Sequence, residues 1–197
     1  MPRRTDTRAR MVATAAQLLR RQGLHSTGTS QILAESNAPR GSLYFHFPDG
    51  KQQLAIEALA LSGRELGERM SAELDAAPTV GDGIVRLGEM FAESLRASEF
   101  RDGCPIATTA LEAAAESDVV RTACATVYDA WSQGLSARLE VAGATAQDAT
   151  RLAQLILSSI QGALILARVQ REPDVVRQVT QDLAAMVTGL PPSEESP

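Results

Sequence analysis

The sequence predicts an all-α protein with two domains, and three observations lead to this prediction. Apolar residues recur at helical spacing through most of the chain. Glycine and proline separate these segments at short intervals, and no segment shows the alternation that is typical of a strand. The composition, with 44% apolar and 22% charged residues, is that of a folded globular protein.

The first 50 residues are predicted to form three helices. The first spans residues 5–22, and Gly23 ends it. We expect Thr29 to be the N-cap of a short second helix, which ends before Pro39 because proline disfavours the α conformation in the preceding residue. A third short helix is expected at 40–46. Two short helices around a tight turn, supported by a preceding helix, form a helix-turn-helix arrangement.

The rest of the chain is predicted to form longer helices, at residues 51–75, 79–98, 105–115, 118–141, 146–171 and 174–188. The predicted domains are therefore a helix-turn-helix domain at 1–50 and a second helical domain at 51–190. The polar, proline-rich tail at 191–197 is expected to be disordered.

Charge is distributed unevenly along the chain, which carries −5 overall. Residues 1–51 contain eight Lys or Arg and three Asp or Glu, a balance of +5, whereas the remainder contains eleven basic and twenty-one acidic residues, a balance of −10. A basic N-terminal region on an acidic body indicates a polyanionic partner at one end. The alternative is a chance cluster of solvated arginines.

The predicted third helix has the composition that a DNA-reading helix needs. Its first residues are Arg40, Gly41 and Ser42, and such small or polar residues allow a helix to enter a major groove about 12 Å wide. Gly41 lets the backbone approach the duplex, while Arg40 and Ser42 can reach base edges or phosphates. Leu43 and Phe47 are expected to anchor the helix to the core.

The run from Gly41 to Phe47, together with Thr29, the segment 32–34, Lys51 and Leu54, resembles the DNA-binding domain of the TetR/AcrR family. The resemblance implies that phosphates are contacted by Thr29, Tyr44, His46 and Lys51. It implies that the bases are faced by Arg40, Gly41, Ser42 and Phe45. Tyr44 and Phe45 could instead be core aromatics, and the basic flanking residues favour DNA.

Two features depart from the family pattern. The turn reads Ser36-Asn37-Ala38-Pro39, where the family commonly has Ala-Gly-Val-Ser, and we expect Asn37 to take the positive φ usually given to glycine. The segment before Lys51 is also one residue longer than the common form, which changes the reach of that lysine.

The C-terminal region resembles the LmrA/YxaF-like branch of the same family at 103–106, Leu111-Glu112, Trp131 and 162–168. Gln161 stands where glutamate is expected. The resemblance implies a repressor that a small apolar or aromatic effector releases from its operator.

An effector pocket is expected around the few aromatic residues of this region. Apolar pockets with a few polar groups are typical of small-molecule sites. The expected lining residues are Phe91, Leu111, Tyr128, Trp131 and Leu135. Thr108 or Glu112 could supply polarity. The alternative is that all of these side chains simply fill the core.

A homodimer is expected through residues 146–188. The stretch 152–167 is apolar on more than one side, and such a helix is buried on both sides. The resemblance implies that it pairs with 174–188 across a two-fold axis, which suits a palindromic double-stranded operator.

Other functional classes have weaker support. No phosphate-binding loop, dinucleotide fingerprint or His-Glu-x-x-His motif is present, so neither an enzyme nor a cofactor is expected. Cys104 and Cys124 are interpreted as reduced core residues, and His25 and His46 lack metal-ligand spacing. No secretory signal or membrane span is expected, which favours the cytoplasm. A helical adaptor and a thiol sensor using the two cysteines remain alternatives.

Overall fold

The computed structural model describes the backbone of residues 4–188 and the side chains of residues 6–187. In this range the chain forms nine α-helices, namely α1 Arg4–Gln22, α2 Thr29–Glu35, α3 Ser42–His46, α4 Gly50–Asp75, α5 Val80–Ala97, α6 Pro105–Ala113, α7 Asp118–Val141, α8 Ala146–Gln170 and α9 Asp174–Thr188. The all-α prediction is confirmed for these residues. The predicted disordered tail at 191–197 lies outside them.

Two predicted helix starts are wrong by one or two residues. Helix α3 begins at Ser42 and not at Arg40. The Ser42 N–H donates to the Pro39 carbonyl at 2.9 Å, so residues 39–42 form a turn that precedes the helix. Thr29 is the first residue of α2 and not its cap, since Gly28 occupies the N-cap position without a side-chain hydrogen bond.

The chain divides into two compact units that do not follow chain order. The first unit contains the residues up to Leu66 together with Cys104–Val127, and the second contains Gly67–Gly103 together with the residues from Tyr128 onward. Helix α6 and the start of α7 therefore belong with the helix-turn-helix segment. The functional division at residue 50 stays a prediction.

The core of the first unit holds the helix-turn-helix segment in place. Met11 and Leu19 of α1, Phe47 after α3, Leu54 of α4 and Ile106 of α6 are almost completely buried. Burial of a large apolar side chain contributes about 1.5–3 kcal/mol. Helix α1 also packs against α6.

The turn after α1 is held by two charged side chains from distant parts of the sequence. The N–H groups of Leu24 and His25 donate to Glu112 Oε2 on α6, at 2.5 Å and 3.2 Å. On the other side of the same residue, Lys51 Nζ on α4 donates to the Leu24 carbonyl at 2.8 Å. Gly23 precedes them at φ +78°, and an added Cβ would overlap the Glu112 carboxylate. We call the arrangement of Leu24, Glu112 and Lys51 the Leu24 bridge.

The second unit is built on the packing of α9 against α5 and α8. Gly88 of α5 allows a close approach of α9, because an added Cβ would overlap the Thr180 hydroxyl of α9. Thr180 is fully buried, and its hydroxyl donates to the Val176 carbonyl at 2.9 Å. The hydroxyl therefore has little freedom to move away from α5.

Substitution of Gly88 by alanine should destabilise the protein by about 1–3 kcal/mol, because the new methyl group overpacks a closed core. The matched control is Gly134→Ala in α7, where the nearest atom to an added Cβ is Arg138 Nη1 at 3.6 Å. That change should stabilise the helix by about 0.5–1 kcal/mol, the difference in helix propensity. Urea unfolding at one protein concentration measures both, and equal shifts would contradict the packing described.

Replacement of Glu112 by glutamine should weaken the Leu24 bridge, because a neutral acceptor replaces a charged one in two hydrogen bonds. The amides of Leu24 and His25 should then exchange with deuterium faster than in the parent. Glu116→Gln removes the same charge from an exposed residue nearby and should leave both amides unchanged. Unaltered exchange in the Glu112→Gln variant would show that the bridge does not protect this turn.

Candidate nucleic-acid interface

The turn between α2 and α3 is a regular helix end followed by a proline turn. Asn37 lies at φ +51°, as expected for the residue that replaces glycine here. The Ala38 N–H reaches back to the Leu33 carbonyl at 2.9 Å, and the Asn37 N–H to the Ala34 carbonyl at 3.2 Å. This pattern ends α2 and redirects the chain into α3.

Helix α3 has one anchored face and one exposed face. Leu43 is 4% exposed and Phe47 is fully buried, which confirms their predicted roles as anchors. Tyr44 and Phe45 are 72% and 58% exposed, so neither is a core aromatic in the protomer. Two neighbouring exposed aromatic side chains mark a surface suited to a partner.

The aromatic side chains of α3 are also placed by their neighbours. The Tyr44 ring lies against Gly50, where its Cε1 would be 3.1 Å from an added Cβ. Gly50 has φ +65° and opens α4. The His46 ring is half-buried and meets Phe45 edge to face, with centroids 4.9 Å apart.

The remaining residues assigned to DNA are distributed around α3. Arg40 and Gly41 are exposed in the turn just before the helix, and nothing lies within 4 Å of an added Cβ at Gly41. Ser42 and Thr29 are half-buried at the first positions of α3 and α2. These positions are compatible with the roles that the resemblance implies, and those roles stay predictions.

Lys51 has a structural partner that the sequence did not indicate. It is half-buried, and one of its three N–H bonds is used by the Leu24 carbonyl in the Leu24 bridge. Two N–H groups remain for another acceptor. Its predicted phosphate contact therefore competes with, or adds to, a contact inside the protein.

Two arginines of the basic N-terminal region have internal roles. Arg8 pairs with Glu57 at 2.6 Å, and its guanidinium lies 5.0 Å from the centroid of the Phe47 ring. Arg10 pairs with Asp6 at 2.8 Å and donates to the Ser36 carbonyl at 3.0 Å. By contrast, Arg40 forms no ion pair with any residue the structure describes. The charge available to DNA is thus smaller than the residue count indicates.

The residues expected to line an effector pocket are divided between the two units, three in the first and four in the second. The three on α6 belong to the first unit, where Leu111 is 80% exposed, Glu112 joins the Leu24 bridge, and the Thr108 hydroxyl donates to the Cys104 carbonyl at 3.1 Å. Leu111 is thus exposed in the protomer and Glu112 is engaged inside the protein, and their roles at a pocket stay predictions. The reason is that the outer face of α6 meets solvent and its Glu112 face meets the turn after α1.

The other four expected pocket residues lie in the second unit. Phe91, Trp131 and Leu135 are buried, and Tyr128 meets Trp131 edge to face with centroids 5.6 Å apart. Gly67 makes room for the indole, since its added Cβ would be 2.9 Å from Trp131 Nε1. This aromatic cluster is compatible both with a core and with a pocket wall.

The two cysteines are both buried, as expected for small core residues. Burial, and secondarily the neighbouring Cys104, raises the pKa of the Cys124 thiol. A thiol with a raised pKa is a poor nucleophile at neutral pH, which argues against the thiol-sensor alternative.

Family comparisons agree with this arrangement over both parts of the chain. Residues 11–58 match the family described as bacterial regulatory proteins of the tetR family. Residues 81–182 match the C-terminal domain described as transcriptional regulator, LmrA/YxaF-like.

Individual relatives cover nearly the full chain. An uncharacterized HTH-type transcriptional regulator of Mycobacterium tuberculosis, Rv0196, is 38% identical over 84% of this chain and 86% of its own length. The uncharacterized regulator YxaF of Bacillus subtilis is 31% identical over 95% of this chain and 98% of its own. A TetR transcriptional regulator from Chloroflexus aurantiacus superposes with a TM-score of 0.80 at 29% identity, covering 94% and 96% of the two chains. The chain therefore belongs to the TetR family of transcriptional regulators, which are DNA-binding proteins and not enzymes, and its C-terminal domain is of the LmrA/YxaF-like type.

Proposed function

We propose that the protein is a dimeric repressor that reads a palindromic operator with α3 and is released from it by a small molecule. The observation that carries the DNA-reading role is the two-faced character of α3, with Leu43 and Phe47 buried and Tyr44 and Phe45 exposed. A short helix held in this way has an anchored inner face and an exposed outer face that can enter a major groove.

Base reading is assigned to the start of α3. Arg40 is exposed and has no carboxylate partner among the described residues, so its guanidinium is free to form a bidentate contact with guanine. Gly41 presents no side chain, which allows the backbone to approach the base edges. Ser42 and Phe45 complete the base-facing set.

Phosphate binding is assigned to side chains around this helix. Tyr44, His46 and Thr29 supply neutral or weakly basic donors, and Lys51 adds charge at the N-terminal end of α4, where the helix dipole also favours an anion. Such contacts fix the position of the protein on the duplex without reading its sequence.

Dimer formation is assigned to residues 146–188. Helix α8 buries one face within its unit through residues such as Ile156, Ile160 and Leu164. On the opposite face lies an exposed apolar stripe formed by Leu155, Gly162, Ile165, Leu166 and Val169. Among the described helices, α8 is the one that is long and apolar enough to cross a membrane. Helices in the cores of folded proteins can have the same length and composition.

A second copy of the chain accounts best for this stripe. A monomer would leave the stripe in water, and Gly162 leaves open space for a close approach of helices. Gln161 supports the same interpretation, since its buried Oε1 has no hydrogen-bond partner within the protomer.

Effector binding is assigned to the aromatic cluster formed by Tyr128 and Trp131 in the second unit, with Phe91 and Leu135 as further expected lining residues. An apolar ligand there releases DNA only if it binds the DNA-incompetent form of the protein more tightly than the DNA-competent form. To shift the ratio of the incompetent to the competent form from 1:99 to 99:1, the two binding free energies must differ by about 5.5 kcal/mol. Helices α4 and α7 each run from one unit into the other, which provides continuous elements for the coupling.

Substitution of Arg40 by alanine should relax the sequence preference at one base pair of each half-site and cost about 1–3 kcal/mol on the preferred operator. The control is Arg69→Ala, which removes the same charge from an exposed position of α4 outside the helix-turn-helix segment. Titration of both variants against operators changed one base pair at a time provides the measurement. If Arg40→Ala kept the parent's preference at every position, Arg40 would not be a base reader.

Substitution of Leu166 by glutamate should weaken the dimer by at least about tenfold, because a charge would enter an apolar interface. Gln170→Glu adds the same charge at an exposed residue of α8 outside the stripe and should have little effect. Sedimentation over a concentration series gives both dissociation constants. An unchanged constant for Leu166→Glu would place the interface elsewhere.

A further inference from the structure

A cleft of about 360 Å³ opens within the first unit, beside the Leu24 bridge. It is lined by the turn after α1, the start of α4, the end of α6 and the start of α7. The lining residues are Leu24, His25, Lys51, Gln52, Ala113, Glu116, Ser117 and Val120. Its volume lies in the range of about 300–1,000 Å³ that is usual for small-molecule sites.

The walls of this cleft are of two kinds. Ala113 and Val120 are buried and, with Leu24, provide an apolar floor. Gln52 and Ser117 form a polar edge, with Gln52 Nε2 donating to Ser117 Oγ at 3.2 Å. This combination suits a molecule with an apolar body and one polar end.

Lys51 determines which polar end fits. Its half-buried ammonium bonds to a neutral carbonyl oxygen and forms no ion pair with any described residue. Glu112 is engaged with the two backbone N–H groups, and Glu116 is exposed at the rim. A partly buried cation with two unused donors favours an anion, and a carboxylate forms stronger hydrogen bonds with it than a carbonyl does.

We propose that this cleft is a regulatory site for an organic carboxylate with an apolar tail, with the carboxylate on Lys51 and the tail on Leu24, Ala113 and Val120. The site is distinct from the aromatic cluster of the second unit. Binding engages the two N–H donors of Lys51 that the Leu24 carbonyl leaves unused.

The consequence for DNA rests on the proposed function. Lys51 is assigned to a phosphate, so a carboxylate on its ammonium competes directly with the operator. Occupancy of the cleft therefore lowers operator affinity.

Lys51 gives a direct test because it is the only lysine in the chain. Protein labelled with ¹³C at the lysine Cε gives a single side-chain resonance, which we would follow during titration with octanoate. Octanol, which has the same tail without the charge, is the ligand control. The resonance should shift and saturate with octanoate and should not do so with octanol.

Two variants locate the effect. Gln52→Trp fills the mouth of the cleft from an exposed position of α4 and should raise the octanoate dissociation constant by about tenfold or more. Ala60→Trp introduces the same side chain at an exposed position of α4 that does not line the cleft, and the constant should remain that of the parent. No shift, or an equal shift in the Gln52→Trp variant, would overturn the proposed site.

Operator binding is measured in parallel, first without ligand. If the operator is bound and octanoate weakens it in the parent but not in Gln52→Trp, the cleft is regulatory. If the operator is bound and octanoate leaves both the resonance and the affinity unchanged, the cleft proposal fails while the proposed function stands. If Lys51 responds to octanoate but no DNA is bound, the binding site stands and the proposed function fails.

Discussion

The peptide groups on either side of Leu24 are hydrogen-bonded to two side chains of opposite charge, Glu112 from α6 and Lys51 from α4. Hydrogen bonds to charged groups contribute about 1.5–3 kcal/mol when they are shielded from water, and less at the partly exposed positions found here. The turn that they hold leads directly into α2, and through the Asn37 turn into α3. The hydrogen bonds at this one residue therefore act together with the buried core of the first unit to position the reading helix relative to α4 and α6.

The basic side chains near this turn divide into two groups, which explains how a small helix-turn-helix segment is both stable and able to bind a polyanion. Arg8 and Arg10 are used inside the protein, on Glu57, Phe47, Asp6 and the Ser36 carbonyl. Arg40 is left to solvent. Lys51 belongs to both groups, because its ammonium donates to the Leu24 carbonyl and has two further N–H donors for an anion that approaches.

Local features of the sequence were sufficient to predict most helix boundaries. Gly23, Pro39 and Pro173 end or separate helices because glycine permits positive φ and proline removes an N–H, and both effects act within a few residues. The anchored and exposed faces of α3 followed in the same way from the positions of Leu43, Phe47, Tyr44 and Phe45. The positive φ of Asn37, at the position where the family commonly has glycine, was also predictable, since asparagine tolerates the left-handed region.

Long-range contacts of long side chains were not predictable. Glu112 lies 88 residues from Leu24, and nothing near it in the sequence distinguishes a carboxylate that caps a turn from one that lines a pocket. The exposure of Leu111 was not predictable for a related reason, because helical spacing on α6 does not indicate which face meets solvent. On α8 the sequence showed apolar residues on both sides, and the structure was needed to separate the buried face from the exposed stripe at Leu155 to Val169.

The central claim is that two copies of this chain read DNA through α3. Selection of genomic DNA fragments by the purified protein tests it most directly, with bound fragments sequenced after washing at moderate salt. A dimer that reads DNA in this way should enrich a few sites, each an inverted repeat whose half-sites are related by a two-fold axis. Recovery of fragments without any shared sequence, or of a shared sequence without two-fold symmetry, would contradict it.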